Sequence, residues 1–317
     1  MGRINPVSVE DVREAGKRID RFLHRTPLIR SIHRGAWLKL ENFQITGAYK
    51  VRGALNALLL QKSRGDHRTV VAASAGNHGA GVAWAAKQLG LSAVIAVPKN
   101  APQAKIQRIT KLGAQVVLHG DVFEDSLTWA RQKAQERDWR MLHAFEDPDV
   151  IAGQGTIALE LLNLEPDVVI LPIGGGGLAA GVSTILRAKG IRVVGVQIEG
   201  VDAMASALRG GPKRIHPRQT VADSLRVSEA GELTRSLCKK GVSEMILVTE
   251  NETLEAMRSL SVHERIRVEG AGAVSVAALN KVQGQRRIAL VSGGNTDIDV
   301  GQIRDQKEHP APLIQNY

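Results

Sequence analysis

The stretch Asp167-Val168-Val169-Ile170-Leu171-Pro172-Ile173-Gly174-Gly175-Gly176-Gly177-Leu178 (DVVILPIGGGGL) decides the fold class of this chain. It opens an uncharged run, residues 168–186, that approaches the length of a membrane span. Pro172 and the four glycines indicate instead a buried strand, a loop and a buried helix. Because glycines carry no side chains, several amides can converge on a phosphate at the helix N-terminus. The loop lacks the Lys-Ser/Thr of a nucleotide P-loop and the spacing of a dinucleotide fingerprint, so a single phosphate group is the predicted ligand.

Short β-rich runs alternate with helical stretches on both sides of this segment, which is typical of βαβ units and a mostly parallel sheet covered by helices. The predicted strands are 69–74, 92–97, 115–118 and 141–144, then 167–171, 193–198, 245–248 and 288–291. The predicted helices include 77–89, one opening at Pro102, and 121–138. The first group of strands predicts a small domain, residues 69–147, inserted into a large domain made of 1–68 and 148–317. The fold class is therefore α/β, and the polar tail from Arg304 is predicted to be poorly ordered.

Composition excludes several classes of protein. The 317 residues carry 42 Lys and Arg against 32 Asp and Glu, a formal charge of +10. These basic residues are scattered and aromatics are only 3%, so a nucleic-acid surface is not expected, whereas anionic small molecules suit a diffuse positive field. Cys238 is the only cysteine and residues 1–20 are too charged for a secretory signal, which predicts a cytoplasmic protein. The scattered charge also predicts no membrane partner.

A lysine motif precedes the glycine loop in the chain. In Thr46-Gly47-Ala48-Tyr49-Lys50-Val51-Arg52-Gly53-Ala54, a lysine stands at the start of an alanine-rich helix after a glycine turn. Such a lysine can form a Schiff base with an aldehyde cofactor when desolvation lowers its pKa. For a lysine taken alone, a solvated helix position is the commoner interpretation.

Two polar turns follow predicted strands. Ser74-Ala75-Gly76-Asn77-His78-Gly79 has free amides and a helix dipole suited to a carboxylate or phosphate, although an ordinary capped turn uses the same residues. Ser292-Gly293-Gly294-Asn295 places a hydroxyl where it can hydrogen-bond a ring nitrogen, and a polar strand-end turn is the alternative.

Taken in order, these four motifs resemble the fold type II pyridoxal-phosphate (PLP) enzymes, the tryptophan synthase β-like fold, and within them the threonine/serine dehydratase and serine racemase group. The resemblance extends from Arg25-Thr26-Pro27-Leu28 to Asp297. It implies two domains, each with a twisted, mostly parallel sheet flanked by helices.

The resemblance also implies roles for individual residues. Lys50 would hold PLP and then remove the substrate's α-proton, and Tyr49 would pack against the pyridine ring. The expected cofactor contacts are Asn77 to the phenolic oxygen, Ser292 to the ring nitrogen, and Gly174, Gly175, Gly176, Gly177 and Leu178 to the phosphate. The expected substrate contacts are Ser74, Ala75, Gly76, Asn77 and His78, through the loop amides. Glu269 matches a glutamate at a helix start in the dehydratases, and a helix N-terminal charge explains it equally well.

These residues favour β-elimination. A serine at the ring nitrogen cannot supply a full pyridinium charge, so the carbanion should expel a β-leaving group promptly. The expected substrate is an L-β-hydroxy amino acid, namely threonine, serine, phenylserine or 3-hydroxyaspartate, and the products are a 2-oxo acid and ammonia. Alternatives are a racemase, a β-replacement enzyme and a non-catalytic PLP carrier. Racemases of this group have a serine where this chain has Ala75, which favours the lyase.

The chain departs from the family's pattern at two places. Ala48-Tyr49 stands where many members have Ser-Phe, which weakens any inference about the substrate. Gln197 stands where metal-using relatives have a glutamate, so a divalent metal is not expected, while a monovalent cation is possible. A homodimer is the family default. The length leaves no room for a C-terminal effector domain, so feedback inhibition by isoleucine is not expected.

Overall fold

The computed structural model describes residues 7–298. The expectations for residues 1–6 and for the tail, 299–317, fall outside this range. The strands are β1 (Leu28–Ser31), β2 (Ala36–Leu40), β3 (Val70–Ala73), β4 (Ala93–Val97), β5 (Gln115–Leu118), β6 (Arg140–Met141), β7 (Val168–Pro172), β8 (Arg192–Ile198), β9 (Glu244–Val248) and β10 (Arg287–Val291). The helices are α1 (Val9–Ile19), α2 (Lys50–Ser63), α3 (Asn77–Leu89), α4 (Gln103–Lys111), α5 (Phe123–Glu136), α6 (Pro148–Leu159), α7 (Gly177–Arg187), α8 (Ala203–Leu208), α9 (Glu232–Gly241), α10 (Glu250–His263) and α11 (Gly270–Ala277).

The larger sheet has the strand order β1-β2-β10-β7-β8-β9. All its pairs are parallel except β1 with β2, which form an antiparallel edge. Every residue of β7 is buried, as expected for a parallel strand covered by helices on both faces. The sequence-based assignment missed β1 and β2, because Arg30 and Lys39 interrupt any continuous apolar run there.

The smaller sheet has the order β5-β4-β3-β6 and is parallel throughout. Its strands lie where they were predicted, with one correction: the run expected at 141–144 is paired only over Arg140–Met141. Leu142 still donates its N–H to the Val71 carbonyl of β3, and the residues after it carry part of the site described below. The core of this sheet includes Ala54 and Leu58 of α2 and Val150 of α6. The predicted domain boundaries near 68 and 148 therefore cross continuous packing, and they stay a prediction.

The run 168–186 forms a buried strand, a loop and a helix, as predicted. Helix α7 packs closely on α6 at Gly181. The two helices are so close there that a Cβ on Gly181 would overlap the backbone of Ile151. Within residues 7–298, no helix is long and apolar enough to cross a membrane.

Candidate active site

The carboxyl ends of parallel strands from both sheets supply the loops that carry the predicted site residues. Lys50 is the first residue of α2 and is partly buried. Its Nζ donates a hydrogen bond to the carbonyl oxygen of Ala144 at 3.2 Å and lies 5.3 Å from the centre of the Tyr49 ring. Burial lowers the pKa of Lys50 from 10.5 to about 8, against the opposing effect of the Glu269 carboxylate. The amine is thus held in surroundings that favour its neutral form.

Backbone pairing joins the lysine motif to the turn after β10. The Tyr49 N–H donates to the Ser292 carbonyl at 3.1 Å, and the Gly294 N–H donates to the Gly47 carbonyl at 2.9 Å. The Ser292 side chain is buried, and its hydroxyl donates to the Ala271 carbonyl at 3.2 Å. Two motifs about 240 residues apart in the chain are therefore held side by side by main-chain hydrogen bonds, as in a sheet.

A chain of side-chain amides links this pair to the turn after β3. Asn295 Nδ2 donates to Asn77 Oδ1 at 2.7 Å, and Asn77 Nδ2 donates to Glu269 Oε1 at 2.8 Å. Burial raises the pKa of Glu269 to about 7, although the hydrogen bond from Asn77 and the charge of Arg108 act in the opposite direction. Glu269 precedes α11 and belongs to this network, so its position is more than that of an ordinary helix-start charge.

The turn before α3 contains a hydrogen bond between two of its own residues. The Gly76 N–H donates to Ser74 Oγ at 3.1 Å, and Ala75 is only partly buried. The ring of His78 points away from the turn, since its Nε2 lies 3.0 Å from the Leu142 carbonyl. Burial and the nearby Lys50 charge lower the pKa of His78 to about 3, so the ring is neutral. His78 can therefore serve the predicted carboxylate site only through its backbone amide.

The glycine loop lies between β7 and α7. Among residues 7–298, none accepts a hydrogen bond from the amides of Gly174, Gly175, Gly176 or Gly177. Gly176 has a positive φ of 95°, a conformation that favours glycine. The Leu178 side chain is buried in the core, so only its amide is available to a ligand. The loop thus presents unpaired N–H groups at a helix N-terminus, as predicted.

Sequence reasoning missed the residues that shape the glycine loop from outside. Ala144, whose carbonyl accepts from Lys50, is followed by Phe145, and a Cβ at Gly175 would overlap the Phe145 ring. Thr234 Oγ1 donates to the Gly175 carbonyl at 2.7 Å, while its backbone N–H donates to Glu146 Oε1 at 2.9 Å. The sequence indicated residues 144–146 only by their place in the chain, since they come shortly after a strand of the smaller sheet.

The polar groups of the site fit PLP. The site offers one amine of lowered pKa for an aldehyde, unpaired loop amides for a phosphate and the second Asn77 amide hydrogen for a phenolic oxygen. The Ser292 hydroxyl, whose one proton is donated to Ala271, could turn that proton to a ring nitrogen. Lys50 and the loop are brought together through Ala144 and Phe145. Within the described residues, no group of three or more His, Cys, Asp or Glu side chains is arranged to hold a metal ion.

Comparison with known proteins shows which family this chain is similar to. The family described as "Pyridoxal-phosphate dependent enzyme" matches residues 19–294. L-threonine ammonia-lyase of Thermotoga maritima is 42% identical over 308 residues, covering 93% of this chain and 77% of the relative. Among solved structures, the T.th. threonine deaminase has a TM-score of 0.86 at 36% identity, covering 92% of this chain and 99% of that one. Maize serine racemase has a TM-score of 0.87 at 31% identity, covering 92% and 94%.

The chain belongs to the pyridoxal-phosphate dependent enzymes and has the α/β fold of fold type II, which confirms the predicted fold class. Within that class it is a PLP-dependent ammonia-lyase of the threonine/serine dehydratase group, which deaminates threonine-like substrates.

Proposed function

We propose that this enzyme removes water and ammonia from L-threonine or L-serine and releases the 2-oxo acid, with phenylserine and 3-hydroxyaspartate as bulkier candidate substrates. The observation that carries the proposal is the Lys50 amine, whose pKa is about 8 and which donates to the carbonyl of Ala144, directly before the Phe145 ring that packs on the glycine loop. The similarity to a threonine ammonia-lyase supports the same substrate class.

Lys50 is the proposed base for the α-proton. At about pH 7.5, a pKa near 8 leaves roughly a quarter of such an amine neutral, against roughly one in a thousand for an ordinary lysine. When bound, PLP supplies an electron sink for the charge that develops on the substrate's α-carbon. Tyr49, directly before the lysine, is proposed to pack against the cofactor ring.

The remaining predicted residues are proposed to bind and orient. Gly174, Gly175, Gly176, Gly177 and Leu178 would hold the phosphate through their amides, Asn77 the phenolic oxygen and Ser292 the ring nitrogen. The amides of the turn Ser74, Ala75, Gly76, Asn77 and His78 would bind the substrate carboxylate at the start of α3. Because the Gly76 N–H is shared with Ser74 Oγ, the hydroxyl and the amide are expected to act together.

A racemase is the second candidate, because maize serine racemase is similar in structure over 92% of this chain. Racemisation needs an acid or base on the opposite face of the cofactor from Lys50. The turn before α3 has the methyl group of Ala75 at the position where the racemases of this group have a serine, and a methyl group cannot relay a proton. The lyase is therefore the better proposal.

The test is release of 2-oxo acid and ammonia from purified holoenzyme over a panel of L- and D-β-hydroxy amino acids, with product chirality measured in parallel. We expect equal release of both products from one or more L-isomers. Lys50→Ala should abolish turnover, whereas Lys62→Ala, at the other end of the same helix, should retain it. D-isomer formation without ammonia would establish the racemase instead. Turnover that requires added sulfide would identify a β-replacement enzyme, and no turnover with any substrate would contradict the proposal.

We also propose a domain division and an oligomeric state. The division into a large domain, 1–68 with 148–317, and a small domain, 69–147, is supported by the separation of β3 to β6 into their own sheet. A homodimer is proposed from the family resemblance alone, and sedimentation of the holoenzyme tests it.

A further inference from the structure

Gln197 fills a buried polar pocket beneath the glycine loop. It lies in β8, and only 1% of the residue is exposed. Its Nε2 donates to the carbonyl of Ile173 at 3.0 Å and to that of Val201 at 3.3 Å, and its Oε1 accepts from the Ala205 N–H at 2.7 Å. Carbonyl oxygens only accept and a backbone N–H only donates, so the surroundings determine which end of the amide is nitrogen.

The pocket has the chemistry of a cation site in which an amide has replaced the cation. Two buried carbonyl oxygens that converge on one point are the kind of ligands that hard cations take. A carboxylate at position 197 would add negative charge beside those carbonyls and would need a bound cation to compensate it. The Gln197 NH₂ group instead gives each carbonyl a donor, and it does so without a net charge.

The pocket is connected to the phosphate-binding loop on two sides. Ile173 directly precedes Gly174, so its carbonyl orientation is coupled to the first turn of the loop. Ala205 lies in α8 next to Met204, whose Cε is 2.6 Å from the position that a Cβ on Gly176 would occupy. Displacing Ile173 would therefore move the backbone that leads into the loop, and displacing Ala205 would move the Met204 side chain that packs against Gly176.

We propose that the amide of Gln197 takes the place of a metal cation at the base of the glycine loop, so that this enzyme binds PLP without a divalent or monovalent cation in this pocket. Gln197 is a positioning residue in this proposal, since it acts through Ile173 and α8. Its role concerns cofactor binding and is independent of which amino acid the enzyme deaminates.

The test measures PLP affinity of the apoenzyme and the melting temperature of the holoenzyme in chelator, followed by separate titrations with Mg²⁺, Ca²⁺ and K⁺. For the wild type we expect less than about a twofold change in affinity with any of these ions. Gln197→Glu should bind PLP about tenfold more weakly in chelator and recover with millimolar Ca²⁺ or Mg²⁺, because the new carboxylate and the two carbonyls then have a cation to share.

Two variants separate this role from a purely structural one. Gln197→Met removes the same hydrogen bonds without adding charge, so it should lose PLP affinity with no rescue by any cation. Gln219→Glu adds the same charge at an exposed position and should behave like the wild type. A wild-type affinity that falls in chelator and returns with a cation would overturn the proposal. So would a Gln197→Glu variant that ignores cations, and if that variant does not fold, the wild-type titration still decides.

Discussion

Asn77 Nδ2 lies 2.8 Å from Oε1 of Glu269, and this hydrogen bond joins the start of α3, which follows β3 of the smaller sheet, to the start of α11, which packs on the larger one. Asn295 Nδ2 donates to Oδ1 of the same Asn77 amide at 2.7 Å. Because Glu269 also influences Lys50 electrostatically, the network couples the cofactor lysine to both sheets. The ionisation of one buried carboxyl therefore affects folding and chemistry together.

Glu269 should make folding stability depend on pH in a particular direction. Its pKa is raised from 4.5 to about 7 in the folded chain, so between these values the folded state holds a proton that the unfolded state has lost. Stability from this group is thus full below about pH 4.5 and declines as pH rises to about 7, by at most roughly 3 kcal/mol. Glu269→Gln should lack that decline in denaturant unfolding of the apoenzyme. Glu232→Gln, at an exposed helix start, is the control, and identical pH profiles for wild type and Glu269→Gln would contradict the assignment.

The lowered pKa of Lys50 predicts how fast the apoenzyme takes up PLP. Only the neutral amine attacks an aldehyde, so the rate of covalent attachment should rise with pH and level off above about 8. Removing the Glu269 carboxylate takes away the group that favours the charged amine, so Glu269→Gln should shift the profile to lower pH. Stopped-flow absorbance of PLP attachment measures both profiles. A midpoint near the ordinary lysine value would show that Lys50 is solvated.

The glycine loop should be less sensitive to an added methyl group at Gly174 than at Gly175. At Gly175 an added Cβ would overlap the Phe145 ring, whereas at Gly174 the nearest atom, Leu225 Cα, is 3.3 Å away. We expect Gly175→Ala to weaken PLP binding by about tenfold or more, and Gly174→Ala to have a smaller effect. Equilibrium PLP titration checks this. In a Phe145→Ala background the Gly175→Ala loss should shrink, and an undiminished loss would place its cause elsewhere.

A buried ion cluster behind α2 should dominate the stability of this helix. Arg52 pairs with Glu41 at 2.8 Å and with Glu160 at 2.7 Å, and Glu41 is fully buried. Although burial alone would raise the pKa of Glu41, the Arg52 charge holds that pKa below its ordinary value. Arg52→Met should cost about 3–5 kcal/mol in unfolding, because it leaves a buried carboxylate unpaired.

Matched variants test that the loss comes from the unpaired charge. Adding Glu41→Gln to Arg52→Met should recover part of the stability. Arg68→Met, which breaks an exposed pair with Asp66, should cost far less in the same denaturant experiment. An equal loss of unfolding free energy for Arg52→Met and Arg68→Met would show that the buried ion cluster stabilises the protein no more than an exposed ion pair does.

Local patterns were enough for much of the fold and for part of the site. The runs at 93–97 and 115–118 and the helix 77–89 were predicted to within one residue, because apolar runs bounded by glycine and polar turns specify their own ends. The edge strand β1 and its neighbour β2 were not predicted, since their residues become sheet-like only by pairing with each other and, for β2, with β10. The strand expected at 141–144 was too long, because registered pairing with β3 ends at Met141, and Ala144 and Phe145 contact Lys50 and the glycine loop instead.

The sequence by itself determined the α/β class, the family and the loops that face the site, because glycine turns after apolar strands have few physical alternatives. Only the tertiary structure decided which side chains those loops meet. These contacts join residues that are about 20 to 100 positions apart in the chain. They are Lys50 with Ala144, Phe145 and Thr234 with the glycine loop, and Gln197 with Ile173. Such contacts depend on burial and on the geometry of close packing, and no local pattern encodes either.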